Sequence, residues 1–166
     1  MQNYQKSINW LFNQFPNYQK VGKKAYKADL ENISAVLSNF NNPHKKLKFV
    51  HVAGTNGKGS VCSIVASALT ESGYKTGLFT SPHLLDFRER IRINGNKIPK
   101  DNVIDFCNKA QGLECKPSFF EITFAMALEH FKNEKCDICI IEVGLGGRLD
   151  ATNIITPILT AITSIG

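Results

Sequence analysis

A glycine-rich stretch at residues 51–60, with the sequence HVAGTNGKGS, restricts the possible fold of this chain more than any other feature. An apolar run at residues 47–53 leads into it, and a helical pattern of apolar residues starts where it ends. Its three glycines allow the backbone to curl, so that several N–H groups can point at one anion. Lys58 adds a positive charge, and the N-terminus of the following helix adds its dipole. The stretch therefore predicts a phosphate-binding loop between a strand and a helix.

The loop departs from the common phosphate-loop pattern in two places. Only two residues separate Gly54 from Gly57, and Gly59 stands where the pattern has a serine or threonine after the lysine. Glycine has no hydroxyl that could bind a magnesium ion, so we expect Ser60 or Ser81 to supply that ligand. The alternative interpretation is a simple glycine turn with a solvent-exposed lysine.

The segment after the loop completes a β-α-β unit. Apolar residues at 61, 64, 65, 68 and 69 have helical spacing, which predicts a helix over residues 58–72 with Gly73 as its C-cap. Residues 76–81 are predicted to form the next strand, parallel to the first and reached by a right-handed crossover. Because ligands of such sheets bind at the carboxyl ends of the strands, we expect Ser81 to lie at the same edge as the loop.

The remaining patterns predict an α/β fold, a mostly parallel sheet flanked by helices. The Asn94-Gly95 pair predicts a small β-hairpin excursion from this sheet over residues 88–98. Asp101 is expected to cap a helix, and residues 117–120 to form a loop before the next, almost wholly apolar helix. The other predicted helices cover residues 4–15, 28–40, 102–111 and 121–131, and the other predicted strands cover residues 136–143 and 157–164.

Glu142 and a second glycine-rich loop follow the apolar strand at 136–143. Glu142 lies near the carboxyl end of that strand, where it could bind magnesium together with Ser81. The alternative for Glu142 is an ion pair with Arg148 or a lysine. The loop at residues 144–153, GLGGRLDATN, could approach a ligand closely; the alternative is a structural turn held by a pair between Arg148 and Asp150.

Composition and charge limit the class of protein. The 166 residues are enough for one domain with its own core, and a net charge of +6 suits an anionic substrate. The lysines are scattered, which argues against nucleic acid as a partner, and no apolar run approaches the length of a membrane span. Five cysteines at irregular spacing do not indicate a disulfide framework, so we expect a soluble, cytoplasmic protein. Cys136 and Cys139, three apart on a strand, are expected to face opposite sides, which disfavours a metal or redox site.

Four motifs in order resemble a known family: HVAGTNGKGS, TSPHL with RERIRING, SFFE, and EVGLGGRLDATN. Together they resemble the N-terminal ATPase domain of folylpolyglutamate synthase/dihydrofolate synthase, of the muramyl ligase superfamily, over essentially the whole chain. The resemblance implies a muramyl-ligase-like central ATPase domain that uses ATP and Mg²⁺. In such ligases ATP phosphorylates a carboxylate of dihydropteroate or a folate, and the amino group of L-glutamate then displaces phosphate.

The resemblance also implies roles for residues at matching positions. The catalytic lysine is Lys58, and the implied metal ligands are Ser81 and Glu142. The implied ATP-binding residues are Thr55, Asn56, Gly57, Lys58, Gly59 and Ser60. The residues implied to line the pterin or folate site are Ala25, Tyr26, Lys27, Ala28, Ser118, Phe119, Phe120, Glu121, Leu149, Asp150 and Ala151.

The chain differs from the family in its length. Family members continue past the position of Gly166 with a metal-binding histidine, a carbamylated lysine and a C-terminal domain for glutamate. We therefore expect residues 1–166 to be a single but incomplete N-terminal ATP-binding domain, poorly active or inactive alone, and monomeric when full length. Two alternatives remain: a non-catalytic module that binds nucleotide or folate, and a ligase for another muramyl-type substrate.

Overall fold

The computed structural model describes residues 3–15 and 29–166. Its helices are α1 (Tyr4–Gln14), α2 (Glu31–Asn39), α3 (Lys58–Glu71), α4 (Lys100–Ala110) and α5 (Phe119–Asn133). Its strands are β1 (Phe49–Ala53), β2 (Thr76–Phe79), β3 (Ile91–Ile93), β4 (Asn96–Lys97), β5 (Ile138–Glu142) and β6 (Leu159–Ile162). Short 3-10 helices cover Pro43–Lys46, Phe87–Arg90 and Ala151–Ile154.

The six strands form one sheet in the order β4-β3-β2-β5-β1-β6. Strands β2, β5, β1 and β6 are parallel, which confirms the predicted mostly parallel sheet. The predicted hairpin is present, with Asn94 and Gly95 both at positive φ in its turn. It does not leave the sheet, however, because β3 pairs antiparallel with β2 and so extends the sheet at that edge.

Helices cover both faces of the sheet. Helix α3 packs on one face, where Val52, Cys62 and Ile140 form a small core. Helix α5 lies in a larger core on the other face, together with side chains from α1, α2 and α4. Because α5 has neighbours on nearly every side, it tolerates apolar residues around its whole circumference. Strand β5 is covered on both faces, which explains its nearly continuous apolar sequence.

Three helix starts differ from prediction. Helix α4 has Pro99 at its N-cap, so Asp101 lies in the first turn and makes no capping bond. Helix α5 starts at Phe119, two residues earlier than predicted, because Ser118 and Glu121 form a capping box. The Glu121 N–H donates to Ser118 Oγ at 3.2 Å, and the Ser118 N–H donates to Glu121 Oε2 at 2.6 Å. Helix α2, predicted over residues 28–40, starts at Glu31; residue 28 lies outside the described residues.

The expectation that Cys136 and Cys139 lie on one strand and face opposite sides was wrong. Cys136 precedes β5, so the alternation of side chains along a strand does not apply to it. The interaction between the two thiols lowers the pKa of Cys136 and raises that of Cys139. Within the described ranges, no three ligating side chains cluster in a way that could hold a metal ion, and no helix is long and apolar enough to span a membrane.

Candidate nucleotide and metal site

The glycine-rich loop follows β1 directly and ends at the N-terminus of α3. Gly57, the N-cap residue, has a φ of +81°, and Gly54 has a φ of +135°, a value that side chains rarely adopt. A Cβ at Gly54 would also overlap the Thr163 hydroxyl and lie 3.0 Å from backbone atoms of Ser164. The first backbone bond of the helix runs from Val61 N–H to the Gly57 carbonyl. The amides before Val61 thus form an anion-binding N-terminus.

The segment after β6 braces the start of the loop. The Thr55 N–H donates to the Ser164 carbonyl at 2.7 Å, and the Asn56 N–H donates to Ser164 Oγ at 3.2 Å. The Thr163 hydroxyl donates to the Asn56 carbonyl at 2.6 Å. Two amides that the sequence predicted to hold phosphate are therefore engaged by the protein itself. The part of the loop left for an anion begins at Gly57.

Lys58 lies across the loop. Its Nζ donates to the Gly54 carbonyl at 2.8 Å and to the Thr55 carbonyl at 3.3 Å. Both acceptors are neutral carbonyl oxygens, so neither of these bonds is an ion pair. The positive charge of Lys58 acts on Glu142, where it favours the ionised carboxylate.

Glu142 and Ser81 meet beside the loop. The Ser81 N–H donates to Glu142 Oε2 at 2.9 Å, and a Cβ at Gly59 would lie 3.5 Å from Glu142 Oε1. Glu142 is only 5% exposed, and this burial raises its pKa against the opposing effects of the Ser81 N–H and the charges of Lys58 and Arg90. Within the described part of the chain Glu142 has no ion pair, so the alternative pair with Arg148 is not formed.

Sequence reasoning assigned no role to Arg90, on which the charge of Glu142 acts. Arg90 lies at the end of the 3-10 helix Phe87–Arg90 and is 5% exposed. Its Nε donates to His83 Nδ1 at 2.7 Å, and its Cζ lies 5.3 Å from the centroid of the Phe119 ring. Burial lowers the pKa of Arg90 to about 10, against the opposing charge of Glu142. Burial and the Arg90 charge also lower the pKa of His83.

The second glycine-rich loop is held by Asp150. Its Oδ2 accepts a hydrogen bond from the Leu145 N–H at 2.8 Å, and its Oδ1 accepts from the N–H and hydroxyl of Thr152. Thr152 Oγ1 in turn lies 2.8 Å from His51 Nε2. Since the threonine hydroxyl donates to Asp150, it accepts from His51, which places the imidazole proton on Nε2. Asp150 therefore holds a structural turn, as the alternative interpretation of this loop expected, but its partners are Leu145 and Thr152 instead of Arg148.

Comparisons with known sequences and structures show what this chain is similar to. No protein-family model matches the chain. The dihydrofolate synthase/folylpolyglutamate synthase of Bacillus subtilis is 38% identical over 172 residues, which cover 98% of this chain and 38% of that protein. The structure of E. coli FolC in complex with DHPP and ADP has a TM-score of 0.86 and 34% identity, covering 99% of this chain and 39% of FolC.

A bifunctional folylpolyglutamate synthase/dihydrofolate synthase with Mn, AMPPNP and L-glutamate bound matches equally well. Its TM-score is 0.86 at 34% identity, and the match covers 100% of this chain and 39% of that one. The chain belongs to the folylpolyglutamate synthase/dihydrofolate synthase family. It spans less than two fifths of the length of these relatives.

The residues that the resemblance to folylpolyglutamate synthase assigned to the pterin site fall into three groups. Ala25, Tyr26, Lys27 and Ala28 lie outside the described residues. Ser118 and Glu121 cap α5. Phe120 and Asp150 meet at Gly144, where a Cβ would lie 2.5 Å from Phe120 Cζ and 2.9 Å from Asp150 Oδ2. Phe119 and Ala151 are buried, and Leu149 is half-buried nearby in the chain.

Two features of the site were missed by sequence reasoning. Thr163 and Ser164 contact the loop because β6 runs parallel to β1, so their hydroxyl groups come out at the same edge of the sheet. The signal in the sequence was the pair of hydroxyl side chains, Thr163 and Ser164, directly after the strand. Arg90 gave no such signal, because arginine stands at every second position from 88 to 92 and the sequence does not distinguish the three. The burial of Arg90 depends on how the segment after Ser81 folds back.

Proposed function

We propose that this chain is the ATP-binding part of a ligase that adds L-glutamate to dihydropteroate or a folate. The observation that carries the proposal is the position of the Glu142 carboxylate, which is bonded to the Ser81 N–H and adjoins Gly59 of the glycine-rich loop. A carboxylate beside a phosphate-binding loop suits a magnesium-bound nucleotide. Family relatives with bound ADP, or with AMPPNP and Mn, support this assignment.

The residues present fit a magnesium ion. Glu142 offers a carboxylate and Ser81 a hydroxyl, the hard oxygen ligands that Mg²⁺ binds together with phosphate oxygens and water. Burial raises the pKa of Glu142, and a bound cation would restore the ionised form. When bound, the ion would neutralise charge on the phosphates. The amides after Gly57 would bind phosphate oxygens, and Lys58 would exchange its two carbonyl partners for the same anion.

The proposed reaction explains why the enzyme needs ATP. A carboxylate is a poor electrophile, so one of its oxygens first attacks the γ-phosphorus of ATP and ADP leaves. The amino group of glutamate then attacks the acyl carbon, phosphate leaves and the nitrogen loses a proton. The contribution of this chain is to position the phosphates and to neutralise the charge that develops on the transferred group.

The proposal for the whole protein follows the longer relatives. We propose a single but incomplete ATP-binding domain in residues 1–166, since the apolar side chains Leu159 and Ile162 on the edge strand β6 are 58% and 66% exposed. The free state of all five cysteines supports a reducing, cytoplasmic compartment. We also propose that the full-length enzyme is a monomer and has no nucleic-acid partner; the scattered lysines support the second point.

Thermal unfolding and ADP release together test the proposed function. ATP with Mg²⁺ at about a hundred times its Kd should stabilise the chain by about 2.7 kcal/mol, which raises the Tm by roughly 5–10 °C. Lys58→Ala should weaken ATP binding about 10- to 100-fold, since a hydrogen bond to a charged group contributes about 1.5–3 kcal/mol. Lys45→Ala is the matched control, because this exposed lysine lies before the amino end of β1.

The outcomes separate the alternatives. Unchanged ATP affinity in Lys58→Ala would contradict the phosphate-binding loop. For this length of chain we expect ATP binding, with little release of ADP when dihydropteroate and glutamate are added. Turnover at the rate of full-length relatives would contradict the proposal of an incomplete domain. Stabilisation by a muramyl nucleotide but not by a pterin acid would indicate another amide ligase.

A further inference from the structure

Arg90 is a buried cation that no carboxylate of the described residues contacts in an ion pair, although the charge of Glu142 acts on it from a longer distance. It is 5% exposed, and none of the ion pairs formed within residues 3–15 and 29–166 includes it. Its neighbours Arg88 and Arg92 differ, since Arg88 pairs with Asp86 at 2.7 Å and Arg92 is half-buried. A buried guanidinium that lacks a counter-ion is costly, which suggests that a ligand supplies the anion.

The contacts of Arg90 fix its plane and leave its two terminal nitrogens without a hydrogen bond to any described residue. Nε donates to His83 Nδ1, and the Phe119 ring lies under Cζ at 5.3 Å. Phe119 is itself stacked on Phe12 with ring centroids 4.7 Å apart, which holds the aromatic platform in place. A guanidinium has five N–H donors, and the bond to His83 uses one of them. The two terminal nitrogens thus remain for a planar, bidentate acceptor.

Arg90 is connected by its neighbours to both parts of the proposed active site. On one side, Phe119 is followed by Phe120, which contacts the second glycine-rich loop at the proposed pterin site. On the other side, the Arg90 carbonyl accepts a hydrogen bond from the Thr80 N–H at 3.1 Å, and the next residue, Ser81, donates its N–H to Glu142, the proposed metal ligand. The charges of Arg90 and Glu142 also act on each other. A substrate that reaches from the pterin site to the nucleotide places its reacting group at this junction.

We propose that Arg90 binds the carboxylate of the pterin-bearing acid and holds it against the γ-phosphate of ATP. This inference rests on the proposed function. The planar fork of arginine matches both oxygens of a carboxylate, and its positive charge offsets the repulsion between the carboxylate and the triphosphate. When one carboxylate oxygen bonds to phosphorus and the bond to ADP breaks, Arg90 keeps its protons and stays paired with the transferred group.

The competing role for Arg90 is structural, in which it only packs on Phe119 and orders the segment after Ser81. The two roles differ in their dependence on the charge of the ligand. A carboxylate-binding arginine makes the protein prefer pteroate over its carboxamide, in which the carboxylate is replaced by a neutral amide. A structural arginine affects the binding of both ligands equally.

Binding titrations of pteroate and its carboxamide to the full chain, with ATP analogue and Mg²⁺ present, test the proposal. We expect the wild type to prefer the acid about 10- to 100-fold, Arg90→Gln to reduce this preference to about threefold or less, and Arg90→Lys to give an intermediate value. Arg92→Gln is the matched control, since Arg92 is two residues away and its Nε donates to the Glu89 carbonyl; it should keep the full preference.

Each outcome decides a separate point. An undiminished preference for the acid in Arg90→Gln would overturn the role of Arg90 alone, as would a wild type that binds both ligands equally. A wild type that binds neither ligand would overturn the proposed pterin site and the inference with it, while the titration with ATP still tests the nucleotide site. Should Arg90→Gln fail to fold, the wild-type NMR signal of the Arg90 Nε–H, assigned with Arg90→Lys, should shift with pteroate and not with the carboxamide. No shift with pteroate would refute the proposal.

Discussion

At the scale of single residues, the site depends on a few atoms whose contacts differ from what their type alone suggests. Asp150 fixes a loop by accepting hydrogen bonds from Leu145 and Thr152. Glu142 is a buried carboxylate with a raised pKa, and it lies next to Gly59, which has no side chain. The sequence predicted the position of Glu142 at a strand end, but burial and the bond to the Ser81 N–H depend on the folded chain.

The raised pKa of Glu142 predicts the pH dependence of stability in the absence of metal. A carboxyl group that holds its proton more tightly in the folded state stabilises the fold at low pH, and this contribution is lost as the pH rises from the ordinary value of 4.5 through the raised pKa. Glu142→Gln removes the titration. The Tm difference between wild type and Glu142→Gln should therefore move against the wild type as the pH rises through that range. A difference that stays constant with pH would contradict the raised pKa.

Replacement of Gly54 in the loop is predicted to lower the stability of the fold. Gly54→Ala would force a side chain into a φ of +135° and against Thr163 and the backbone of Ser164, so we expect the free energy of unfolding to fall by about 1–3 kcal/mol. Gly112→Ala is the control, since a Cβ there meets nothing within 4 Å. Urea unfolding measures both. Equal stabilities of the two variants would show that the segment after β6 does not brace the loop.

At the scale of secondary structure, local patterns predicted most elements and missed those that depend on distant contacts. The unit of β1, loop and α3 was predicted because apolar spacing, glycines and Lys58 all lie within one stretch of sequence. The hairpin was predicted from its Asn-Gly turn, but its pairing with β2 depends on a free sheet edge that no local pattern encodes. The start of α5 could have been predicted, since Ser118 and Glu121 have the spacing of a capping box.

The capping box at α5 predicts a stability effect without a change in nucleotide binding. Ser118→Ala removes the acceptor for the Glu121 N–H and should lower the free energy of unfolding by about 1 kcal/mol. Ser34→Ala, at an exposed position of α2, should change it by less than about 0.5 kcal/mol. Chemical denaturation and ATP titration of both variants check this. A loss of ATP affinity in Ser118→Ala, with stability unchanged, would be the contrary result.

At the scale of the whole molecule, the parallel sheet brings separate segments of the chain to one edge. Strands β1, β2, β5 and β6 end there with the loop, Ser81, Glu142 and the Thr163–Ser164 pair. The sequence predicted that the loop, Ser81 and Glu142 meet at this edge, because parallel strands share a carboxyl edge. It did not predict the contacts of Thr163 and Ser164 with the loop. Which backbone amides stay free for phosphate was not predictable, since it depends on β6 pairing next to β1.

The central claim is that this edge binds a magnesium-bound nucleotide, and the most direct measurement is the affinity for ATP with Mg²⁺ and with a chelator, in wild type and Glu142→Gln. Glu71→Gln is the control, because Glu71 ends α3 about 20 Å from its N-terminus at 1.5 Å per residue. We predict that Mg²⁺ raises the affinity of wild type and Glu71→Gln for ATP at least about tenfold, and that Glu142→Gln loses this gain while it keeps the metal-free affinity. An equal gain from Mg²⁺ in all three proteins would contradict the claim.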